Sequence, residues 1–211
     1  MNSLFNDTQL IENIQIMRNK FVCSKQHKDG RINSGIDDEQ VKKYWRSFGD
    51  NYIAGNDREF YDLAYTDNDG YTYYINFKSS DFEKKSNDNL NAKEAILLAF
   101  TDLSLHEIRK KNRSWKPLIN ALKHNKKDIN RDYYYIVFDK SSEKYIFTSV
   151  RSLDCLSANG NNLPYQCKWN KHVPQINRTF EQSYEYVTSC FYKSLRLRAE
   201  AYLYYEHLQQ N

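Results

Sequence analysis

Apolar residues recur every three or four positions in two stretches near the N-terminus, which is the period of an amphipathic helix. The first helix is predicted to begin at Asp7 or Thr8 and to end near Ser24. The second is predicted from Asp37 to about Phe48. The two apolar stripes comprise Leu10, Ile14, Met17 and Phe21, and then Val41, Tyr44, Trp45 and Phe48. Asp37 falls on the second stripe, so its carboxylate is expected to point inward.

Alternation of apolar and polar residues follows and predicts two β-hairpins. Their strands are expected over 60–66, 71–78, 133–139 and 144–150. Further helices are predicted from about 91, over 114–125 and over about 179–208. Thr179 and Gln182 form a capping box at the start of the last helix, and the amide-rich region 151–178 before it is interpreted as an ordered loop. Hairpins that alternate with helices predict a mixed sheet flanked by helices, which is an α/β or α+β fold.

The turn of the first hairpin determines which side chains meet. Asn68-Asp69-Gly70 suits a three-residue loop in which a type I turn is followed by a glycine in the left-handed conformation. This register places Asp62 opposite Asn76, and alternation along the strand brings Lys78 to the same face. A carboxylate, an amide oxygen and an ammonium group at one hairpin end can hold Mg²⁺ and bind a phosphate. A surface salt bridge between Asp62 and Lys78 is the alternative interpretation.

Composition indicates a globular protein, since 40% of the residues are hydrophobic and 27% are charged. The 211 residues are predicted to form a single domain, 1–211. The four cysteines are scattered without a CxxC pair, which favours reduced thiols in a cytosolic protein. Because no apolar run is long enough to cross a membrane and no signal peptide is evident, no membrane partner is expected.

The net charge is only +4, but one stretch of the chain is strongly basic. Between Arg109 and Lys127 there are eight Lys and Arg residues and no acidic residue. The region 151–178 holds a single acidic residue, Asp154. This distribution indicates a polyanionic partner, although cations at a helix C-terminus also explain the part over 109–113.

The first hairpin resembles the catalytic motif of the PD-(D/E)XK nuclease superfamily, and more narrowly that of type II restriction endonucleases. The residues that carry this resemblance are Tyr61-Asp62 and Asn76-Phe77-Lys78. Later segments are similar in order, with "LPYQCKW" in the polar loop and "INRTFEQSYEYV" at the entry to the last helix. Asp37 matches the position of an accessory acid that many of these enzymes carry on an early helix. The resemblance implies a restriction-endonuclease-like core within the α/β class.

Two positions depart from the family pattern. Tyr61 stands in place of the usual proline, and Asn76 in place of the usual Asp or Glu. An amide oxygen can bind a metal but adds no negative charge, so another carboxylate is expected to compensate, with Asp37 as the first candidate and Glu94 as the second. Because Asp to Asn is the smallest change that disables such a site, an engineered inactive variant is an open alternative.

The resemblance implies a Mg²⁺-dependent endonuclease of a restriction–modification system that hydrolyses double-stranded DNA and leaves 5′-phosphates. It implies that Asp62, Asn76 and Lys78 are catalytic, and that Asp62, Asn76, Asp37 and Glu94 hold the metal. A palindromic duplex suits a two-fold protein, so a homodimer in the bacterial cytoplasm is expected. Amides and cations of the loop region are expected to contact bases and phosphates. They are Asn159, Asn161, Asn162, Gln166, Lys168, Asn170, Lys171, Gln175, Asn177 and Arg178.

Two other functions stay open at this point. One is a nucleic-acid-binding protein that keeps the fold but has lost the metal site through Asn76, and the other is a repair or transposon-associated nuclease of the same fold. No GxxxxGK[ST], GxSxG or HExxH motif is present, so nucleotide hydrolysis, serine hydrolysis and zinc proteolysis lack support. Cys155, Cys167 and His172 match the spacing of no zinc module, and a structural role is expected for them.

Overall fold

The computed structural model describes residues 7–24, 30–56, 59–83, 88–90, 93–111, 114–160, 165–172 and 176–210. In chain order its elements are α1 (Thr8–Lys20), α2 (Gly30–Arg46), β1 (Tyr52–Ala54), β2 (Leu63–Thr66), β3 (Thr72–Ser80), β4 (Asp88–Leu90), α3 (Lys93–Phe100), α4 (Leu105–Lys111), α5 (Trp115–His124), β5 (Tyr133–Asp139), β6 (Tyr145–Ser149), β7 (Leu156–Ala158), β8 (Tyr165–Cys167) and α6 (Phe180–Gln210). Short 3-10 helices lie at Val150–Ser152 and Trp169–Lys171. Among the described residues, no helix combines the length and the apolar character that crossing a membrane requires.

The chain divides into two compact units. The first consists of Met1–Asp81 and Tyr134–Phe147, and the second of Phe82–Tyr133 and Thr148–Asn211. The five-stranded sheet has the order β1-β2-β3-β5-β6, so β3 and β5 are neighbours although they are not consecutive in the chain. The sheet is mixed and flanked by helices, which confirms the predicted α/β class at this level.

Both predicted N-terminal stripes are buried in the first unit. Leu10, Ile14 and Met17 of α1 and Val41 and Trp45 of α2 are at most 1% exposed. The Asp7 side chain accepts a hydrogen bond from Leu10 N, which caps α1 at the predicted position. The stripes pack against aromatic and aliphatic side chains of the sheet, namely Tyr52, Leu63, Tyr65, Tyr73, Ile75, Phe77, Tyr134, Ile136 and Phe138. The periodicity therefore identified both helices, although α2 begins earlier than predicted.

The structure confirms the predicted register of the first hairpin. Thr66 pairs with Thr72, and their hydroxyl oxygens lie 3.1 Å apart. Gly70 has a φ of 81°, the left-handed conformation expected at this place in the turn. Leu63 pairs with Ile75, and the backbone N–H of Asp62 donates to Ile75 O at 3.0 Å. Asp62 therefore lies opposite Asn76, as predicted.

The second unit contains a small sheet of the order β4-β8-β7 in addition to α3–α6. The region predicted as an ordered loop contributes β7 and β8 to this sheet. Strands of three residues are too short to show a period of two, which explains why the sequence pattern did not reveal them. The predicted capping box is confirmed, because Gln182 N donates to Thr179 Oγ1 and Thr179 N donates to Gln182 Oε1.

Gly55 is expected to be essential for the stability of the first unit. Its N–H donates to Asp62 O at 2.8 Å, and an added Cβ would lie 2.2 Å from the carbonyl oxygen of Tyr61. Gly55→Ala should therefore lower the free energy of unfolding by about 2 kcal/mol or more in denaturant titrations. Gly35→Ala is the control, because Gly35 lies within α2 with nothing within 4 Å of an added Cβ. The free energy of unfolding of Gly35→Ala should rise by up to about 1 kcal/mol. Equal stabilities of the two variants would contradict the expected clash.

Candidate active site

The candidate site lies at the end of the first hairpin that is remote from its turn. Asp62 directly precedes β2, and Asn76 lies opposite it on β3. Oδ2 of Asp62 accepts a hydrogen bond from Asn76 Nδ2 at 2.6 Å and another from the backbone N–H of Phe77 at 2.8 Å. The structure thus brings together the carboxylate and the carboxamide that the sequence pattern paired.

A second carboxylate at this site comes from α2. Asp38 is half-buried, and its pKa is raised to about 7, first by burial and then by the nearby negative charge of Asp62. Lys78 and Lys42 act in the opposite direction and favour the charged form of Asp38. The site therefore contains a second acidic side chain, whose charged form the negative charge of Asp62 disfavours.

Lys78 acts on both acids. Burial raises the pKa of Asp62, while the Phe77 N–H, Lys78 and Lys42 oppose that increase. Lys78 also favours the charged form of Asp38, so its positive charge acts on both acids. Among the described residues, no ion pair within 4 Å joins Lys78 to either acid. The ammonium group of Lys78 is therefore not paired at close range with either acid.

Asp37 points inward as predicted, but its carboxylate forms hydrogen bonds with residues other than those of the candidate site. Its side chain is 0% exposed, Oδ1 accepts from Ser24 N at 2.8 Å, and Oδ2 accepts from Ser79 Oγ at 2.7 Å. The Cys23 thiol also lies 3.6 Å from Oδ2. These contacts tie the segment after α1 to β3. The acid that α2 provides beside Asp62 is therefore Asp38, the next residue in the chain.

Glu94, the second candidate for a compensating acid, lies in the first turn of α3 in the second unit. It is 9% exposed, and burial raises its pKa. Its assignment as a metal ligand stays a prediction.

Three of the amides and cations predicted to contact DNA form contacts within the second unit. Asn159 is buried, and its Nδ2 donates to Asn89 Oδ1 at 3.0 Å, while Gln166 Nε2 donates to the same oxygen at 3.2 Å. Arg178 donates to the carbonyl oxygens of Arg151 and Leu153 and lies over the ring of Tyr186. These three side chains are structural in the described arrangement.

The remaining predicted contacts divide into two groups. Asn170, Lys171 and Asn177 are exposed and Lys168 is half-buried, so these side chains are accessible to a ligand. Asn161, Asn162 and Gln175 lie outside the described residues. Within the basic stretch, Lys126 pairs with Glu181, and Lys127 lies 3.4 Å from Asp102. Arg109, Lys110, Lys116 and Lys123 are exposed.

Sequence analysis missed Asp38 and Lys42. A signal for them exists in the segment from Asp37 to Lys42, because Asp38 and Lys42 are four residues apart and share one face of α2. That face borders the stripe of Val41 and Trp45, where a polar side chain can reach the sheet. The prediction assigned the inward-facing acid of this segment to the adjacent Asp37 and did not consider Asp38.

Neither a scan against protein-family models nor a search of curated proteins finds a match to this chain.

The pKa of Asp38 leads to a prediction for the metal-free protein. Because burial raises that pKa from 3.8 to about 7, the folded state binds the proton more tightly than the unfolded chain does. The stability that this bound proton contributes is fully present below pH 3.8 and is lost as the pH rises through about 7. Asp38→Asn should thus be more stable than the wild type by about 1–3 kcal/mol at about pH 8, and similar to it at about pH 4.

Asp37→Asn is the matched control for this measurement. The Asp37 carboxylate accepts two short hydrogen bonds inside the first unit, so its replacement should lower stability at about pH 8. Chemical denaturation with a chelator present measures both variants. A loss of stability in Asp38→Asn at about pH 8 would contradict the assigned burial of its charge.

Proposed function

We propose that this chain is a Mg²⁺-dependent endonuclease that hydrolyses double-stranded DNA, in the manner of the type II restriction endonucleases that its hairpin resembles. The observation that supports the proposal most strongly is that Asp62, which is hydrogen-bonded to Asn76, interacts electrostatically with Lys78, and that both charges act on Asp38. Two half-buried acids next to each other favour a divalent cation, and a neighbouring ammonium group favours a phosphate.

The donor atoms fit Mg²⁺, which prefers carboxylate and carbonyl oxygens. Oδ2 of Asp62 accepts two hydrogen bonds, and none of the described residues donates a hydrogen bond to Oδ1. Oδ1 of Asp62, the carboxylate of Asp38 and the amide oxygen of Asn76 would hold the ion. When bound, Mg²⁺ supplies charge neutralisation at the scissile phosphate and lowers the pKa of nearby water.

The side chains of the site have separate tasks in this reaction. Asn76 fixes the orientation of Asp62 through the hydrogen bond from Nδ2 to Oδ2. Lys78 donates hydrogen bonds to the phosphate oxygens, whose negative charge grows in the pentavalent transition state. Water attacks the phosphorus in line, the bond to the 3′ oxygen breaks, and a 5′-phosphate remains. Charge stabilisation by Lys78 is thus required mainly in the transition state.

DNA contacts are proposed for the accessible cations and amides of the second unit. Lys168 and Lys171 would hold phosphates, and Asn170 and Asn177 would contact base edges. The exposed cations between Arg109 and Lys123 would add non-specific affinity that decreases with salt. A homodimer is proposed because two copies of the site cut both strands of a palindromic sequence.

A non-catalytic DNA-binding protein is the second candidate, and Asn76 favours it. The Nδ2 group already neutralises part of the Asp62 carboxylate by hydrogen bonding, and the amide adds no negative charge for a metal. Asn76→Asp separates the two functions. Cleavage by the wild type supports the nuclease, whereas cleavage that appears only in Asn76→Asp supports a binding protein or an inactivated variant.

Incubation with phage DNA and Mg²⁺ tests the proposal directly. Discrete fragments that disappear in the presence of a chelator, and that can be ligated without added kinase, are the expected result. A gel shift without fragments supports the binding protein. Cutting that follows DNA structure rather than sequence, without fixed fragments, indicates a repair-type nuclease.

A further inference from the structure

A cluster of side chains of the types that bind metals in other proteins lies in the second unit, at the sheet formed by β4, β8 and β7. Cys167 ends the central strand β8 and pairs with Asp88 of β4. Cys155 directly precedes β7, and its Sγ lies 2.8 Å from Sγ of Cys167. Asp154, Cys155 and His172 each offer a ligand atom, and these three atoms lie within 4.8 Å of one another.

Two polar atoms of this cluster are buried and lack a hydrogen-bond partner among the described residues. They are Nε2 of His172 and Oδ2 of Asp88. The His172 side chain has a relative exposure of 0%, so water cannot satisfy Nε2 from the surface. A buried ring nitrogen without a partner is unfavourable, and a bound ion would remove this cost.

The other ring nitrogen of His172 shows how the ring is oriented. Nδ1 lies 2.6 Å from Asp154 Oδ1, so the carboxylate holds the proton on Nδ1. Histidines that bind metals through one nitrogen commonly donate the other N–H to a carboxylate. The Nε2 lone pair is then free to bind an ion. Asp154 would act as the positioning residue for this ligand.

The small sheet would gain a cross-link from such an ion. Each of its strands has only three residues, so few backbone hydrogen bonds hold the strands together. An ion held by Cys155, Cys167 and His172 would connect the residue before β7, the end of β8 and the residue after the 3-10 helix at Trp169–Lys171. It would therefore cross-link three segments of the second unit.

We propose that Cys155, Cys167 and His172 bind a structural Zn²⁺ ion and that the carboxylate of Asp88, which lies opposite Cys167, completes a tetrahedral site. Two thiolates and an imidazole select zinc over Mg²⁺, so this site is independent of the proposed nuclease site. Zn–S bonds of about 2.3 Å at tetrahedral angles place two sulfur atoms about 3.8 Å apart. Binding would thus open the thiol contact by about 1 Å and release both thiol protons to solvent.

Elemental analysis of the untagged protein, purified without chelators, is the first test. We expect one zinc per chain, and a loss of at least about tenfold in zinc affinity in Cys155→Ser and His172→Gln. Cys190→Ser is the control, because Cys190 is a buried thiol of α6 outside the cluster. Asp88→Asn should reduce zinc retention more than Asp154→Asn, since Asp88 is the proposed ligand and Asp154 the positioning residue.

Cobalt titration of the wild-type protein tests the proposed zinc site even where a variant fails to fold. Metal-free, reduced wild-type protein should bind one Co²⁺ with the visible absorption of a tetrahedral thiolate complex, and Zn²⁺ should displace it. The nuclease site, which has no thiolate, gives no such absorption, and DNA cleavage plays no part in the assay. Folded, reduced protein that shows neither zinc nor this absorption would overturn the proposal, as would a Cys155–Cys167 disulfide in freshly purified protein.

Discussion

Lys78→Ala is expected to reduce the rate of Mg²⁺-dependent DNA cleavage by about 10³-fold or more while changing the DNA affinity by less than about fivefold. The reason is that Lys78 favours the charged forms of both acids, where the scissile phosphate of the proposed reaction would develop additional charge in the transition state. In the ground state it contributes one phosphate contact among many. Single-turnover cleavage and a binding titration in Ca²⁺ measure the two quantities separately.

Lys43→Ala is the control for Lys78→Ala. Lys43 is an exposed cation on α2, and its loss should leave both cleavage and affinity nearly unchanged. Equal losses of cleavage and affinity in Lys78→Ala would show that the lysine only holds DNA, and its proposed catalytic role would then be incorrect.

Asp62→Asn is expected to have the other large effect. It removes the carboxylate that Asn76 and Phe77 orient, so Mg²⁺ binding and cleavage should both fall by about 10³-fold or more. Because burial raises the pKa of Asp62, the neutral side chain should leave the metal-free protein at least as stable as the wild type. Calorimetric Mg²⁺ titration and thermal unfolding test the two parts.

The combination of effects is what distinguishes this site from a structural carboxylate. Asp37→Asn should lower stability, because its two hydrogen bonds join the segment after α1 to β3. Asp62→Asn should instead lose metal binding without a loss of stability. A folded Asp62→Asn protein that cleaves DNA at the wild-type rate would contradict the assignment of Asp62.

Local chemistry in the sequence was sufficient to predict the centre of the candidate site. A glycine that favours the left-handed conformation fixed the turn, the turn fixed the register, and the register placed Asp62 opposite Asn76. Helical periodicity likewise identified the buried stripes of α1 and α2, because each stripe packs on one sheet face. These features depend on residues near each other in the chain, which is why they could be read from it.

Features that depend on tertiary contacts could not be predicted in the same way. α2 begins at Gly30, before the apolar stripe on which its prediction rested, and Asp38 reaches the site only because α2 lies beside β3 at a particular rotation. The strands β7 and β8 are too short for a pattern. The approach of Cys155 to Cys167 likewise results from strand pairing between segments whose spacing matches no known module.

The most direct test of the proposed nuclease is a crystal structure with Mn²⁺ and a DNA duplex, in which anomalous scattering locates the ion. We predict a peak coordinated by Asp62 and Asp38, with the Lys78 ammonium group at the scissile phosphate. A peak held by Asp37 or Glu94 would correct the ligand set. A duplex bound away from Asp62 with no ion beside it, or a Lys78 side chain directed away from both acids, would contradict the account.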